Sequence, residues 1–159
     1  MFTIRRYHNI DGLKIAFVGD LLYGRTANSL IRVLSLFKDV TVYCFTPKGF
    51  ELKSEMFDFM EQKGIKHKVV GSFSQIPSDV NVIYQTRVQK ERCSRDCDAS
   101  FVMTPREMGR LCEKTILMHP LPRVDEIDTA VDNDPRAKYF EQSNNGVAVR
   151  MAILVSMLG

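Results

Sequence analysis

Apolar residues along this chain cluster into short runs that end at glycine, proline or polar loops. Four runs, at residues 13–18, 40–45, 80–84 and 115–118, are rich in β-branched and aromatic side chains, which is typical of buried strands. A weaker run occupies residues 66–70. The pattern therefore predicts a domain built around several buried strands.

Between most of these runs, apolar residues recur at helical spacing, which predicts helices there. Thr26 can cap a helix that ends near Lys38, and a second helix ends at Gly64. A short helix is predicted over residues 104–112, and one long helix from Asp134 onwards. The apolar stripe of this last helix comprises Ala148, Met151, Ala152, Leu154 and Val155.

Strands and helices alternate through the chain, which favours right-handed βαβ units and a parallel sheet. We therefore predict a three-layer α/β fold with a parallel sheet and helices on both faces. No internal repeat and no linker divides the sequence, so residues 1–159 are expected to form a single domain.

Three loops follow predicted strands, and in an open parallel sheet ligands bind at the carboxyl ends of the strands. The loops span residues 19–26, 85–92 and 119–123. Together they carry Arg25, Arg87, Gln89, Lys90, Arg92, His119 and Arg123. Forked guanidinium groups beside an amide suit a small substrate with more than one carboxylate. The residues alone predict a site for a small anion.

Charge and composition argue against two classes of partner. The net charge of +3 comes from interleaved acidic and basic residues and Trp is absent, whereas a nucleic-acid surface concentrates positive charge among aromatic side chains. No apolar run approaches the roughly 20 residues of a membrane helix, and the amino terminus lacks the apolar core of a signal peptide. We expect a cytoplasmic protein that binds neither nucleic acid nor membrane.

Motifs for a metal or an organic cofactor are missing from the sequence. Gly19 and Gly24 follow the first strand without forming G-x-G-x-x-G, and no phosphate-binding G-K-S or G-K-T occurs. His119 has no neighbouring Cys or His, so we interpret it as a histidine that satisfies backbone groups beneath a Pro-rich turn. Cys44, inside VTVYCF, is interpreted as a small buried hydrophobe. We expect no metal and no cofactor.

Four segments, DGLKIAFVGDLLYGRT, YQTRVQKER, HPLPRVDEI and DPRAKYFEQSNNG, resemble in order and spacing the aspartate domain of the aspartate carbamoyltransferases. The resemblance extends from about Thr3 to Gly159. It implies a Rossmann-like, carboxyl-terminal aspartate-binding domain. The family transfers the carbamoyl group of carbamoyl phosphate to L-aspartate in de novo pyrimidine biosynthesis, and its complete enzyme is expected to be a homotrimer.

The same resemblance implies roles for individual residues. The two carboxylates of aspartate would be bound by Arg25, Arg87 and Gln89. The backbone of Pro120 and Leu121 would meet the carbamoyl group and the incoming amine. Glu91 would hold the guanidinium of Arg87 in place, a supporting role that its spacing also allows.

The family's phosphate-binding groups come mostly from its amino-terminal domain, in a Ser-Thr-Arg-Thr loop and a His-Pro-x-Gln segment, and neither occurs here. Met1 falls where the helix joining the two domains is expected. We therefore expect this chain to be the aspartate-binding half without the carbamoyl-phosphate half. On its own it should carry no catalytic residues and no transferase activity.

Two alternatives remain beside this interpretation. An ornithine carbamoyltransferase would carry His-Cys-Leu-Pro, whereas His119 is followed here by Pro120, which favours aspartate. A non-catalytic anion-binding or assembly module could keep the same fold, although retention of the arginines argues against it. At Leu22 the family usually has lysine, a departure that bears on subunit conformation more than on substrate binding.

Overall fold

The computed structural model describes residues 1–89 and 101–159 of the protein. Within these ranges the strands are β1 (Lys14–Val18), β2 (Thr41–Phe45), β3 (Lys66–Val69), β4 (Val82–Gln85) and β5 (Ile116–Met118). The helices are α1 (Phe2–Tyr7), α2 (Arg25–Leu34), α3 (Ser54–Gln62), α4 (Pro105–Met108) and α5 (Tyr139–Leu158). Two 3-10 turns lie at Phe73–Gln75 and Thr129–Asn133.

All of these strands belong to one parallel sheet with the order β3-β2-β1-β4-β5. Ile15 of β1 aligns with Val42 of β2 on one side and with Val82 of β4 on the other. The chain runs outward from β1 to β3, then crosses back to β4 and β5. The direction of winding therefore reverses between β1 and β4, which is where such sheets form a crevice at the carboxyl ends of their strands.

The centre of the sheet is apolar on both faces. Residues 15–18 of β1 are completely buried, because helices and turns cover both sides of this strand. Edge strand β3 is different: Lys66 and Lys68 are exposed there, and charged side chains at an open edge discourage pairing with another chain. The continuous apolar run that predicted β1 is thus explained by its central position.

Two hydrophobic clusters, one on each face, hold the layers together. On one face, α1, α2 and α3 pack through side chains such as Ile31 and Met60 against Phe17. The other face is covered by α4, the two 3-10 turns and the start of α5, with Tyr139 completely buried there. The predicted three-layer fold with a parallel sheet and helices on both faces is confirmed. The layer that contains α4 and the two 3-10 turns consists mainly of short elements.

Tertiary hydrogen bonds set the start of the long carboxyl-terminal helix. Helix α5 begins at Tyr139 rather than near Asp134, because the preceding backbone bridges to β5. There Leu117 N donates to Arg136 O at 2.9 Å and Lys138 N donates to Leu117 O at 2.8 Å. A residue whose backbone is engaged in a bridge cannot also take part in a helical ladder. The late start of α5 is therefore imposed by the sheet.

The boundaries of α2 also differ from the prediction. Gly24 occupies the N-cap position, so Thr26 lies inside the helix and does not cap it. The helix ends at Leu34, and Phe37 N then donates to Leu34 O at 3.1 Å in a tighter turn. Thr104 does cap α4, because its hydroxyl accepts a bond from Glu107 N.

Helix α5 has an unusual surface. Of its 20 residues only Tyr139 is buried, although most of the side chains in its second half are apolar. Its exposed apolar residues are Phe140, Val147, Met151, Ile153, Leu154, Val155, Met157 and Leu158. No helix within the described ranges has the combination of length and apolar character that crossing a bilayer demands.

Candidate functional site

The loops after β1 and β4 touch each other at Gly19. This residue has a φ of 108°, and a Cβ built on it would lie 2.3 Å from the carbonyl oxygen of Thr86. Only glycine allows both this backbone conformation and so close an approach. The two central loops are consequently held in direct contact at the point where the winding of the sheet reverses.

Asp20 ties the same two loops together from within. Its carboxylate is completely buried and accepts bonds from Tyr23 N at 2.8 Å and, more weakly, from Gln89 N at 3.4 Å. The hydroxyl of Thr86 donates to Asp20 O at 3.1 Å. A buried carboxylate is tolerated only when such donors surround it. Asp20 therefore fixes the loop that carries Arg25 relative to the loop that carries Gln89.

Residues from all three predicted loops line one crevice of about 590 Å³ at this edge of the sheet. All five predicted substrate-binding residues lie along it, namely Arg25, Arg87, Gln89, Pro120 and Leu121. The crevice is completed by Tyr23, Gly24, Thr26, Thr86, His119 and Pro122. The structure thus brings Arg25 and Arg87 into a single crevice from two different loops.

The electrostatic character of this crevice favours anions. Arg25 is the first residue of α2, whose N-cap is Gly24 and carries no side-chain cap, so the first N–H groups of this helix are available for a negative ligand. Arg87 is exposed and enters from the opposite loop. Two guanidinium groups, one amide and a helix amino terminus suit a small molecule with two carboxylates.

Two of the predicted positions require separate comment. Arg123, expected at the cationic rim, is not among the residues that line the crevice, because its guanidinium pairs with the carboxylate of Asp132. This guanidinium holds the pKa of Asp132 below its usual range. The prediction for Arg123 was therefore wrong. Glu91, together with Lys90 and Arg92, lies outside the described residues.

His119 is almost completely buried at the end of β5, and its ring is occupied by protein groups. The backbone N–H of Leu121 donates to Nδ1 at 2.9 Å, and Nε2 lies 2.8 Å from Oε1 of Glu126. The interpretation of His119 as a histidine that satisfies backbone groups beneath a Pro-rich turn is confirmed. Burial alone would raise the pKa of Glu126, but the contact with His119 and the backbone donors outweigh burial and lower it.

Sequence reasoning missed Asp20 and Glu126, both of which are buried carboxylates that act on the crevice indirectly. A signal for Asp20 was present, because it follows a strand-ending glycine directly and precedes a tight turn. For Glu126 the signal is weaker, since an acidic residue among Val124, Asp125 and Ile127 gives no indication of burial. Both are identified by their hydrogen bonds rather than by a motif.

The described part of the chain supports neither a metal site nor a reactive thiol at Cys44. Across residues 1–89 and 101–159, no cluster of three His, Cys, Asp or Glu side chains is arranged to hold a metal ion. Burial raises the pKa of the Cys44 thiol to about 12, as expected of a thiol packed in the core. Cys44 is therefore a small buried hydrophobe, as its sequence context predicted.

The fold and the crevice define a Rossmann-like α/β domain with an arginine-lined crevice at the carboxyl ends of its strands. Residues 11–157 match the family model described as aspartate/ornithine carbamoyltransferase, Asp/Orn binding domain. The chain belongs to this family. The resemblance inferred from the four sequence segments is confirmed.

Relatives of known name agree with this assignment. The chain is 45% identical over 162 residues to the aspartate carbamoyltransferase catalytic subunit of Methanocaldococcus jannaschii, covering 99% of this chain and 53% of that protein. It is 40% identical over 165 residues to the multifunctional protein CAD of Squalus acanthias, covering 100% of this chain and 7% of that protein. The chain thus spans about half the length of the catalytic subunit it matches.

Solved structures are similar over the same extent. The catalytic subunit of M. jannaschii aspartate transcarbamoylase superposes with a TM-score of 0.88 at 44% identity, covering 96% of this chain and 52% of that one. Aspartate transcarbamoylase from Trypanosoma cruzi, in complex with aspartate and phosphate, gives a TM-score of 0.82 at 35% identity, covering 94% and 48%. The domain fold described above is therefore the fold of these enzymes.

Proposed function

We propose that this chain is the aspartate-binding half of an aspartate carbamoyltransferase, which transfers the carbamoyl group of carbamoyl phosphate to L-aspartate in de novo pyrimidine biosynthesis. The observation that carries the proposal is the crevice in which Arg25 and Arg87 come together from two loops at the switch point of the sheet. A relative that has been crystallised with aspartate and phosphate shares the fold of this chain.

Aspartate fits the charges of the crevice. Its two carboxylates match the two guanidinium groups of Arg25 and Arg87, each of which can form paired bonds with a carboxylate. The amide of Gln89 adds a donor and an acceptor beside them. Pro120 and Leu121 line the same crevice, so their backbone would meet the α-amino group once both carboxylates are held. Each of the five residues therefore has a role in binding or orientation.

Aspartate is favoured over ornithine, which the family description also includes. The side chain of ornithine ends in an ammonium group, which would face the arginine-lined crevice without a carboxylate to match it. The residue after His119 is Pro120, where an ornithine carbamoyltransferase is expected to have cysteine. Charge and local sequence both favour the dicarboxylate.

The reaction needs positioning more than it needs a nucleophile from the protein. The neutral α-amine of aspartate attacks the carbamoyl carbon, the carbon–oxygen bond to phosphate breaks, and the departing phosphate takes up the proton that the amine releases. This chain would bind aspartate and orient its amine, which removes much of the entropic cost of bringing two substrates together. The groups that hold phosphate and stabilise charge on the carbonyl oxygen would come from a carbamoyl-phosphate-binding half.

Helix α5 supports the existence of such a second half. Its exposed side chains, including Met151, Ile153 and Leu154, form an apolar surface that a folded protein rarely leaves uncovered. We propose that the carbamoyl-phosphate-binding half packs against this surface, so that residues 1–159 form one domain of a two-domain unit. A homotrimeric assembly belongs to the same proposal and rests on the family resemblance, whereas the cytoplasmic location stays a prediction from the sequence pattern.

The test is the formation of carbamoyl-aspartate from L-aspartate and carbamoyl phosphate, measured by a colorimetric assay. The chain should be inactive alone and active together with the carbamoyl-phosphate-binding half. In the active enzyme, Arg87→Ala should lower kcat/KM for aspartate about 10- to 100-fold, because losing one charge-assisted contact costs about 1.5–3 kcal/mol.

The matched control is Arg110→Ala, which removes an exposed arginine that is not among the crevice-lining residues and should leave the kinetics unchanged. Activity of the chain alone would contradict the two-half proposal. Unchanged kinetics of Arg87→Ala would remove Arg87 from the site. Turnover of ornithine in place of aspartate would overturn the choice of substrate, and aspartate binding without turnover would indicate a non-catalytic module.

A further inference from the structure

The loop after β5 is held in a conformation that most residues avoid. Leu121 has a φ of 53°, in the left-handed region that side chains with a Cβ rarely adopt. Leu121 and Pro120 line the crevice together with the arginines. Such a conformation persists only where the surrounding structure enforces it. The contacts of this loop identify what enforces it.

The side chain of His119 accepts the backbone N–H of Leu121. The bond from Leu121 N to Nδ1 is 2.9 Å long, which requires a lone pair on Nδ1. The proton of the neutral ring is then on Nε2, which lies 2.8 Å from Oε1 of Glu126. The imidazole therefore bridges the backbone of Leu121 on one side and a carboxylate on the other.

Glu126 is almost completely buried and is itself held in place. Its Oε2 accepts the backbone N–H groups of Val124 and Asp125, both at 3.2 Å. Among the described residues, Oε1 of Glu126 and Nε2 of His119 have no polar partner other than each other. The backbone N–H of His119 donates to Oε1 of Gln142 on α5 at 3.2 Å. Hydrogen bonds within the protein therefore hold the loop at His119 and at Val124 and Asp125, without a contribution from substrate.

We propose that His119 and Glu126 form a positioning pair for the transfer reaction. Glu126 sets the orientation of the ring, and the ring fixes the left-handed backbone of Leu121, so that the backbone of Pro120 and Leu121 faces the attacking amine in a set geometry. Neither side chain touches the reacting atoms. This inference rests on the proposed function, and it adds two residues that act on the amine through the loop rather than through charge.

Two substitutions of His119 separate the two contacts of the ring. In His119→Asn the side-chain oxygen can take the place of Nδ1 and accept the Leu121 N–H, as asparagine does in Asx turns, but the contact with Glu126 is lost. In His119→Gln the amide can reach Glu126 in the place of Nε2, but the bond to Leu121 is lost. If the pair positions the loop, His119→Asn should have the higher turnover and the lower stability, and His119→Gln should have the lower turnover and the higher stability.

The measurements are kcat, the KM of each substrate and the thermal midpoint of the complete enzyme, with the carbamoyl-phosphate-binding half present. We expect His119→Gln to lower kcat about 10- to 100-fold, since small misplacements of aligned groups have effects of this size. His119→Asn should keep most of the turnover while having the lower thermal midpoint, because it leaves the carboxylate of Glu126 buried and unpaired. The KM of carbamoyl phosphate should rise more in His119→Gln than in His119→Asn, because the backbone of Pro120 and Leu121 would also meet the carbamoyl group.

If His119→Asn is too unstable to purify, the same comparison is made with Glu126→Gln added to both variants, which removes the unpaired charge. Equal turnover of the Asn and Gln variants, or turnover that follows stability, would overturn the positioning role. The ¹⁵N shifts of His119 provide a test that does not depend on turnover: a proton on Nε2 supports the pair, and a proton on Nδ1 overturns it. An inactive wild-type enzyme would instead count against the proposed function.

Discussion

Replacing Gly19 with alanine should damage both the fold and the site. A Cβ at this position would lie 2.3 Å from the carbonyl oxygen of Thr86, a separation at which one of the two loops must move. The left-handed φ of 108° costs a residue with a Cβ about 1–2 kcal/mol, and forcing an overlap into packed structure costs about 1–3 kcal/mol more. We therefore expect Gly19→Ala to lower the free energy of unfolding by about 2–5 kcal/mol.

The matched control is Gly64→Ala. Gly64 also has a left-handed backbone, with a φ of 69°, but no atom lies within 4 Å of the position of its Cβ. Gly64→Ala should therefore lower the free energy of unfolding only by the cost of a left-handed backbone, about 1–2 kcal/mol. Urea unfolding of the two variants measures the difference directly, and the m-value shows whether the unfolded state has changed.

One of the two loops carries Arg25 and the other carries Arg87, so movement of either should also raise the KM of the active enzyme for aspartate. Gly64→Ala should not, because Gly64 lies beyond the end of α3 and away from the crevice-lining residues. Equal losses of stability in the two variants would refute the argument from close approach. An unchanged KM in Gly19→Ala would show that the contact between the loops does not position the site.

Two further predictions concern the buried carboxylates. Asp20→Asn places an amide donor against one of the two backbone N–H groups that bond to this carboxylate, so it should lower the free energy of unfolding by about 1–3 kcal/mol and raise the KM of aspartate. The exposed control Asp39→Asn should change neither quantity, as measured by urea unfolding and steady-state kinetics. For Glu126, the pKa in the folded state lies below the ordinary value of 4.5, because the contact with His119 and the backbone donors outweigh burial. Its stabilising contribution is therefore present above that pH and is lost as the pH falls through the folded pKa. Glu126→Gln, which cannot titrate, should therefore show a flatter dependence of stability on pH below about 4.5 in acid unfolding, and a slope equal to that of the wild type would contradict the assignment.

The sequence predicted most of the sheet because the strands are buried on both faces. Residues 13–18 form a continuous apolar run, and such a run in the centre of a parallel sheet needs no alternation to be recognised. Parallel strands place their carboxyl ends at one edge, so the meeting of Arg25 and Arg87 also followed from the order of elements. The crevice was thus predictable without knowledge of any side-chain contact.

What the sequence did not predict depends on contacts between distant residues. The start of α5 is set by backbone bonds to Leu117, and the exclusion of Arg123 from the crevice is set by Asp132, nine residues away along the chain. Helix α1 was missed because its six residues are too few to establish a periodic pattern. The role of Glu91 stays a prediction, because this residue lies outside the described part of the chain.

Helix α5 separates the determinants of folding from those of assembly. The domain anchors the first part of this helix through the burial of Tyr139 and through hydrogen bonds of Gln142 and Asn145. Side chains in its second half, such as Leu154 and Val155, are more than half exposed. Natural variation at these outer positions would therefore leave the domain as stable as before and still decide which second half it can join. Two enzymes of this family could share nearly identical crevices and yet be unable to exchange halves, because compatibility between halves would be determined by the outer surface of one helix.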